Sequence, residues 1–344
     1  MHACLRALLL TALSAALPVS FASARVAGFL PPGDYVRNVP GWPDRPYDLH
    51  VPHTGGAAAP LPVVLVVHGG GGNSEAMEKL TCPGGDLASS GCFTNMADRM
   101  GFVVVYPNGT SHVVSGHALR TWNAGGGEKG WSCISGVACK EDVDDIAYFQ
   151  ALLRDLHTVV NVDDRRIYAT GISNGGAMVH RLACQLSGTI AAIAPVAGGN
   201  QFSAIADCQP ERPVPVLEIQ GTADPIWPYN GGPGSGISII LGASPGRKIA
   251  IPTTVADWAT RDGCRGDAQR TTLPAAVNDD TSVVRKVYPS CNRGADVVLY
   301  DVVNGGHAWP EGWQYFPVSL VGKTTGNLNA NQVILDFFSR QSHR

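Results

Sequence analysis

Short, continuous apolar segments alternate with segments of helical periodicity along most of this chain. The apolar segments are rich in β-branched residues, as expected for strands that are covered on both faces. Predicted strands lie within 33–51 and at 62–68, 101–106, 166–170, 190–196, 214–220 and 297–303, and predicted helices lie within 74–100 and at 141–160, 177–186, 253–262 and 329–340. The first of these segments alternates as antiparallel edge strands do. The pattern predicts an α/β fold with a mostly parallel central sheet flanked by helices.

Composition and charge narrow the class of protein. The chain has 344 residues, of which 44% are hydrophobic and 15% charged, so it can bury a substantial core. The formal net charge is only −3, and no run of Lys or Arg occurs. We therefore expect one catalytic domain and no cofactor, and we do not expect nucleic acid or an anionic membrane as a partner.

The N-terminus has the pattern of a secretory signal peptide. His2 and Arg6 precede an apolar run at 7–17, and Ala22-Ser23-Ala24 fits a small-residue cleavage site. We expect residues 1–24 to be removed, residues 25–344 to form the catalytic domain, and the protein to be extracellular or periplasmic. The alternative is a cytoplasmic chain with an apolar N-terminal strand, but the cysteine content favours export.

Eight of the nine cysteines lie beyond the leader, and an even number in an exported chain indicates disulfides. Pairing neighbours in sequence predicts four bridges: Cys82–Cys92, Cys133–Cys139, Cys184–Cys208 and Cys264–Cys291. The alternative is a metal site, but the chain has no CxxC pair and no zinc-type histidine spacing. We expect no metal.

A Gly-x-Ser-x-Gly pattern lies between a predicted strand and a predicted helix. Gly171, Ser173 and Gly175 occupy the positions of a nucleophile elbow, in which the serine lies on a strained turn with its hydroxyl exposed. Glycines two residues before and after it let the strand and the helix pass closely. A chance match is the alternative, since glycine and serine are abundant, but the strand-turn-helix context favours a catalytic serine.

A run of four glycines follows the buried strand at 62–68. In the segment His68-Gly69-Gly70-Gly71-Gly72-Asn73, the glycines allow backbone N–H groups to turn outward. A phosphate-binding loop would require a following Gly-Lys-Ser/Thr, which is missing. We predict an oxyanion hole formed by the N–H groups of Gly70 and Asn174, with His68 as a structural residue that braces the loop.

An acid and a base follow two later strands. Asp224 comes just after the strand at 214–220, and His307 lies in a glycine-rich loop after the strand at 297–303. Their order after Ser173 is the Ser-Asp-His order of α/β-hydrolases. Asp207 and Asp257 are reserve candidates for the acid, but one precedes its strand and the other lies in a predicted helix.

The segment 111–140 is predicted to be a long irregular loop, and such loops are often functional. Its Trp122 and Trp131 could form a substrate wall or pack a small core within the loop. The acids that follow, Glu141, Asp142, Asp144 and Asp145, could bind a metal, but they lack the spacing of a calcium loop. Capping of the next helix explains them better.

Several motifs together resemble the secreted polyhydroxybutyrate depolymerase and feruloyl esterase family of serine esterases, over most of residues 45–340. They are Ile172-Ser173-Asn174-Gly175-Gly176, the segment 191–198, Gly221-Thr222-Ala223-Asp224-Pro225, Pro228-Tyr229 and Gly305-Gly306-His307-Ala308-Trp309-Pro310. The resemblance implies an α/β-hydrolase fold, a catalytic triad of Ser173, Asp224 and His307, and an oxyanion position in the loop at 68–70. The segments 82–92 and 125–139 depart from the family pattern.

The resemblance implies a carboxylic ester hydrolase. Its substrate would be a feruloyl or other hydroxycinnamoyl polysaccharide ester, or a poly(3-hydroxybutyrate)-type polyester or oligoester. Trp227, Tyr229 and Trp309 flank the acid and the base and could contact the acyl group, or they could be core aromatics. A serine peptidase of the same fold and a catalytically silent binding protein are the alternatives.

Overall fold

The computed structural model describes residues 28–54, 59–114, 116–126, 136–202, 208–234 and 247–343. The strands are β1 Gly33–Val39, β2 Trp42–Val51, β3 Leu61–Val67, β4 Val103–Pro107, β5 Thr110–Val114, β6 His117–Thr121, β7 Val162–Ile172, β8 Ala192–Val196, β9 Val216–Gly221, β10 Gly232–Pro233, β11 Arg247–Lys248, β12 Gln269–Thr272, β13 Ser282–Tyr288 and β14 Val297–Val303. The helices are α1 Ser74–Thr81, α2 Phe93–Met100, α3 Gly136–Lys140, α4 Asp145–Val159, α5 Asn174–Gln185, α6 Ile251–Arg261, α7 Val318–Val321 and α8 Ala330–Ser339. The predicted leader, residues 1–24, lies outside the described residues.

Ten strands of the described chain form one large sheet, in the order β1-β2-β4-β3-β7-β8-β9-β14-β13-β12. The six strands from β4 to β14 run parallel, while the two strands at each edge pair antiparallel. This is the α/β-hydrolase fold predicted from the sequence. The carboxyl ends of the parallel strands share one edge, which is where α/β sheets form their sites.

Helices cover both faces of the sheet and produce two apolar cores. In β3, Val63 and Leu65 contribute to the core under α4, α5 and α6, whereas Val64 and Val66 contribute to the core under α1, α2 and α8. Alternate residues of a strand point to opposite faces, so a strand buried on both sides must be apolar throughout. This explains the uninterrupted β-branched runs in the sequence.

Two local predictions were wrong. The segment 111–140 is not one irregular loop: it contains much of the hairpin β5–β6, which begins at Thr110, and the short helix α3. The helix predicted at 141–160 begins only at Asp145, because the Asp144 side chain accepts a hydrogen bond from the Ala147 N–H at 2.9 Å and caps it. Capping by these acids was the interpretation that the sequence favoured over a metal.

Three of the predicted disulfides are formed, namely Cys82–Cys92, Cys184–Cys208 and Cys264–Cys291. Cys139 is also disulfide-bonded, while its predicted partner Cys133 lies outside the described residues. None of the helices in the described part of the chain is long and apolar enough to cross a bilayer.

Candidate active site

Ser173 lies on a sharp turn between β7 and α5. Its backbone has φ of 59° and ψ of −122°, and residues other than glycine rarely adopt a positive φ. A conformation of this kind costs about 1–3 kcal/mol and is typical of functional sites. The strand ends one residue before Ser173 and the helix begins one residue after it, so the backbone has the predicted elbow geometry.

The two flanking glycines are required by the packing of this turn. A Cβ atom added at Gly171 would lie 2.6 Å from the carbonyl oxygen of Val67, and one added at Gly175 would collide with the carbonyl oxygens of Val67 and His68. Strand β7 and helix α5 therefore approach the end of β3 more closely than any side chain allows. The glycines place Ser173 directly beside the glycine-rich loop, residues 68–73, since a Cβ at Gly69 would lie 3.4 Å from the Cβ of Ser173.

Asp224 and His307 form a buried pair at the same edge of the sheet. Asp224 follows β9 and His307 follows β14, and the two strands are parallel neighbours. The Nδ1 atom of His307 lies 2.7 Å from Oδ2 of Asp224. Both side chains are almost fully buried, at 4% and 0% exposed, so the hydrogen bond is shielded from water. The structure thus brings together the predicted acid and base.

The carboxylate of Asp224 is held by three further donors. The backbone N–H groups of Ile226 and Trp227 donate to Oδ1 at 2.8 and 2.7 Å. The side chain of Gln220 donates to Oδ2 at 2.9 Å and also to the Trp227 carbonyl at 3.1 Å. A carboxylate that accepts from this many donors keeps its orientation. Gln220 was missed as a site residue, although a polar residue at the end of an apolar strand was a usable signal.

The loop of His307 is tied to the loop of Asp224 and to the chain that follows. Ala223 donates its N–H to the Gly305 carbonyl at 2.9 Å, and the His307 N–H donates to the Val321 carbonyl at 2.6 Å. Tyr315 donates its hydroxyl hydrogen bond to the His307 carbonyl at 3.0 Å. These contacts hold the backbone of the His307 loop in place.

The surface excursion, residues 82–92, braces the His307 loop through a single asparagine. Trp309, two residues after His307, donates its indole N–H to Oδ1 of Asn331 at 2.8 Å. The amide of Asn331 in turn donates to the carbonyls of Thr81 and Gly91, both at 2.8 Å. Asn331 on α8 therefore joins both ends of the excursion to the loop of the proposed base.

The reserve acids do not meet His307 in the described structure. Asp257 lies on α6 with a half-exposed side chain, and it faces Arg261 at 4.0 Å. Asp207 lies outside the described residues. Asp224 is therefore the candidate that contacts the imidazole.

The two predicted oxyanion donors lie next to each other. A Cβ atom added at Gly70 would be 3.5 Å from the Cβ of Asn174. Within the same glycine-rich loop, Gly71 donates its N–H to the Arg120 carbonyl at 2.7 Å and Gly72 donates to Gly69 at 3.1 Å, so both are committed inside the protein. Asn174 is the first residue of α5, and the helix N-terminus favours a developing negative charge there.

His68 is a structural histidine, as its position at the end of a strand suggested. Burial lowers its pKa to about 3, so the ring is neutral near pH 7. Its Nε2 accepts the Gly109 N–H at 3.0 Å, and its Nδ1 donates to the Gly69 carbonyl at 2.7 Å. The ring therefore links the glycine-rich loop to the turn after β4.

The three aromatic residues proposed to contact substrate lie mainly in the protein interior. Trp227 is 2% exposed and Trp309 is 0% exposed, and each belongs to one of the two apolar cores. Tyr229 is partly buried, and its hydroxyl donates to Asp301 at 2.8 Å. These placements favour the alternative in which the three are core aromatics.

A buried amine lies near the acid. Lys248 is 5% exposed, and its Nζ lies 5.7 Å from the centre of the Trp227 ring. Burial lowers its pKa to about 8, an effect that the charge of Asp224 partly opposes. Lys248 was not predicted as a site residue, because no recognisable motif lies beside it in the sequence.

Comparison with known proteins adds family membership to this geometry. The sequence profile of the family described as "Esterase PHB depolymerase" matches residues 46–230. The chain is 30% identical to "Putative esterase NocK" of Nocardia uniformis subsp. tsuyamanensis over 299 residues, which cover 85% of this chain and 78% of that protein. It is also 30% identical to feruloyl esterase B of Piromyces equi over 215 residues, covering 62% of this chain but only 35% of that protein.

Among solved structures, the chain resembles one described as a thermostable esterase, with 16% sequence identity and a TM-score of 0.49. That alignment covers 92% of this chain and 64% of the other. The family match spans more than half of the chain and includes Ser173 and Asp224. The chain belongs to the PHB depolymerase esterase family, and it is a carboxylic ester hydrolase of the α/β-hydrolase fold.

Proposed function

We propose that this chain is a serine esterase that works through an acyl-enzyme intermediate, with Ser173 as nucleophile, His307 as general base and Asp224 as the residue that orients the base. The buried contact between His307 and Asp224, at the sheet edge where Ser173 lies on its elbow, carries the proposal. The arrangement has the three roles of a serine-hydrolase triad in the α/β-hydrolase order.

The proposed steps are those of serine-hydrolase chemistry, and the contact between His307 and Asp224 supports them. His307 donates from Nδ1 to Asp224, which leaves Nε2 free of a proton and able to accept the one that Ser173 releases as it attacks the ester carbonyl. The carboxylate of Asp224 stabilises the imidazolium that forms. The N–H groups of Gly70 and Asn174 bind the oxyanion of the tetrahedral intermediate. Water then releases the acyl group by the same route.

For the substrate, we propose a hydroxycinnamoyl ester of a plant polysaccharide. The support is the similarity to a relative named as a feruloyl esterase. A short 3-hydroxyalkanoate oligoester is the second candidate, because the matched family is described by its action on polyhydroxybutyrate. The buried positions of Trp227 and Trp309 give no support to an aromatic acyl pocket formed by these residues.

We further propose that the protein is exported after removal of residues 1–24. The leader pattern and the disulfides support this, since disulfides persist in oxidising compartments. N-terminal sequencing of the protein from culture supernatant or periplasm tests the proposal, and a start at Arg25 is the expected result.

The Ser173→Ala variant tests the mechanism. We expect it to lose essentially all hydrolysis of p-nitrophenyl acetate and all labelling by a fluorophosphonate probe, with an unchanged melting temperature. Substantial residual turnover would exclude Ser173 as the nucleophile. Failure of the unmodified protein to react with the probe would instead favour the silent binding protein, and cleavage of an amide analogue at a comparable rate would favour a peptidase.

The substrate is tested by comparing kcat/KM for methyl ferulate and for a soluble 3-hydroxybutyrate oligomer. A preference for ferulate of about a hundredfold, equivalent to about 2.7 kcal/mol in the transition state, is the expected result. The reverse preference would identify an oligoester depolymerase.

A further inference from the structure

We propose that Trp122 is a positioning residue that holds the two halves of the oxyanion hole in register. One half is the glycine-rich loop with Gly70, and the other is Asn174 at the start of α5. The inference rests on the proposed function, because it concerns the same oxyanion hole. Both halves are distant from Trp122 in sequence, yet Trp122 is hydrogen-bonded to both.

The indole of Trp122 and the backbone of Arg120 hold the glycine-rich loop from one side. The indole N–H of Trp122 donates to the carbonyl of His68 at 2.9 Å. The Gly71 N–H donates to the carbonyl of Arg120, two residues before Trp122, at 2.7 Å. These two bonds lie before and after Gly70 and therefore fix the peptide that carries its N–H.

The backbone of Trp122 holds Asn174 from the other side. Oδ1 of Asn174 accepts the Trp122 N–H at 2.8 Å, and Nδ2 of Asn174 donates to the Trp122 carbonyl at 3.0 Å. This pair uses both polar atoms of the side chain, so the Asn174 side chain is committed to Trp122. The backbone N–H of Asn174 then has a fixed direction at the helix start.

Trp122 itself is rigidly held. Its side chain is fully buried, and its ring lies 5.2 Å from the ring of Phe149 and 4.9 Å from the ring of His68. The next residue, Asn123, donates its backbone N–H to the buried carboxylate of Asp145 at 2.5 Å. A second contact of that carboxylate, with Arg45 at 2.5 Å, holds it in place.

Oxyanion donors act through geometry, because they must point at the position that the oxygen reaches in the transition state. A shift of one donor weakens transition-state binding while leaving binding of the ground-state substrate unchanged. Loss of a donor reduces kcat by about 10²–10³-fold, and a misplacement of about 1 Å can cost about 10²-fold. A variant that only loosens the two halves of the oxyanion hole is expected to lose less kcat than one that removes a donor.

The test is Trp122→Phe, which removes the indole N–H and keeps an aromatic ring in the core. The matched control is Trp258→Phe, since Trp258 is also fully buried and donates its indole N–H to His180 Nδ1 at 3.0 Å. We expect Trp122→Phe to lower kcat by about tenfold to a hundredfold with KM within about twofold. Its affinity for a boronic-acid transition-state analogue should fall by the same factor, while Trp258→Phe keeps kcat and analogue affinity within about twofold.

The inference is overturned if Trp122→Phe keeps kcat and analogue affinity within twofold, or if both tryptophan variants lose them equally. If Trp122→Phe does not fold, Asn174→Ala provides a second test, because it removes both side-chain hydrogen bonds to Trp122 and keeps the backbone N–H of residue 174. That variant must show the same loss in kcat without a change in KM, and normal kinetics would refute the inference. A failure of the triad is separately visible, since Ser173→Ala would then remain active.

Discussion

Replacing Asp224 by Asn tests how the acid acts on the base. The carboxylate accepts from two backbone N–H groups on one oxygen and from Gln220 and His307 on the other. In Asp224→Asn, the amide oxygen can keep the backbone pair, but the NH₂ group then faces two donors. His307 loses its acceptor at Nδ1 and is driven to the tautomer that carries its proton on Nε2. That tautomer cannot take the proton of Ser173.

The magnitude follows from the charge pair. The imidazolium forms only during the reaction, and it forms next to the Asp224 carboxylate. Two unit charges about 4 Å apart at an effective dielectric constant of about 20 attract by about 4 kcal/mol. Losing this from the transition state alone reduces the rate about 10³-fold, and the unfavourable tautomer extends the expected loss toward about 10⁴-fold.

The assay is steady-state hydrolysis of p-nitrophenyl acetate and methyl ferulate at pH 7.5. We expect kcat to fall by about 10³–10⁴-fold with KM within about threefold, because the acid contributes to the transition state and not to substrate binding. Asp257→Asn is the matched control, since Asp257 is half-exposed and faces only Arg261 among the ion pairs of the described structure. Its kcat should stay within twofold.

The reasoning is refuted if Asp224→Asn keeps more than a tenth of the parental kcat while the melting curve shows a folded protein. The imidazole would then be oriented by something other than the 2.7 Å contact. A tenfold loss in Asp257→Asn would point to the other acid.

Two further outcomes are expected. Gly175→Ala should lose at least about a hundredfold in kcat/KM and about 1–3 kcal/mol in the free energy of unfolding, because its Cβ would collide with the Val67 carbonyl. Gly28→Ala is the control and should match the parent, since no atom lies within 4 Å of the added Cβ. Near-parental kinetics and urea unfolding of Gly175→Ala would contradict the packing argument. Burial raises the pKa of Asp262 from 3.8 to about 7, so the folded state holds a proton that the unfolded state has lost, and stability falls as pH rises from about 4 to 7 by at most about 4 kcal/mol. Asp262→Asn should remove this dependence of stability on pH. The difference in melting temperature, variant minus parent, should therefore be larger at pH 8 than at pH 5. An equal difference at both pH values would refute the pKa shift.

Most of the parallel sheet could be predicted from the sequence, because strands buried on both faces leave an unmistakable apolar run. The last parallel strand, β14 Val297–Val303, was predicted with its observed bounds. The antiparallel strands β12 and β13 were not predicted. Every residue of β12 is exposed and β13 carries Arg285 and Lys286, so neither presents a continuous apolar surface. Their position comes from pairing with β14, which is a long-range effect.

The motifs of the candidate site were predictable because each is bound to a backbone requirement. Ser173 needs glycines two residues away, and the end of β9 needs a glycine where the loop of His307 crosses it, since a Cβ at Gly221 would collide with the Gly306 carbonyl. The supporting residues Gln220, Trp122 and Asn331 were not predicted for their roles. Trp122 and Asn331 act through contacts with residues distant in sequence, and no local pattern records such a contact. Gln220 contacts Asp224 and Trp227, four and seven residues further on, so its position at the end of an apolar strand was a usable local signal.

The bracing of the His307 loop by the surface excursion bears on how relatives can diverge. Asn331 couples both ends of the excursion 82–92 to Trp309. The excursion also reaches the chain beyond Trp309, since Gly84 donates its N–H to the Glu311 carbonyl at 3.1 Å. Changes in the length or composition of this disulfide-closed surface loop can therefore shift the loop that carries the proposed base while every reacting residue stays the same. Evolution and protein engineering can in this way adjust the position of the proposed base from a surface loop that contains none of the reacting residues.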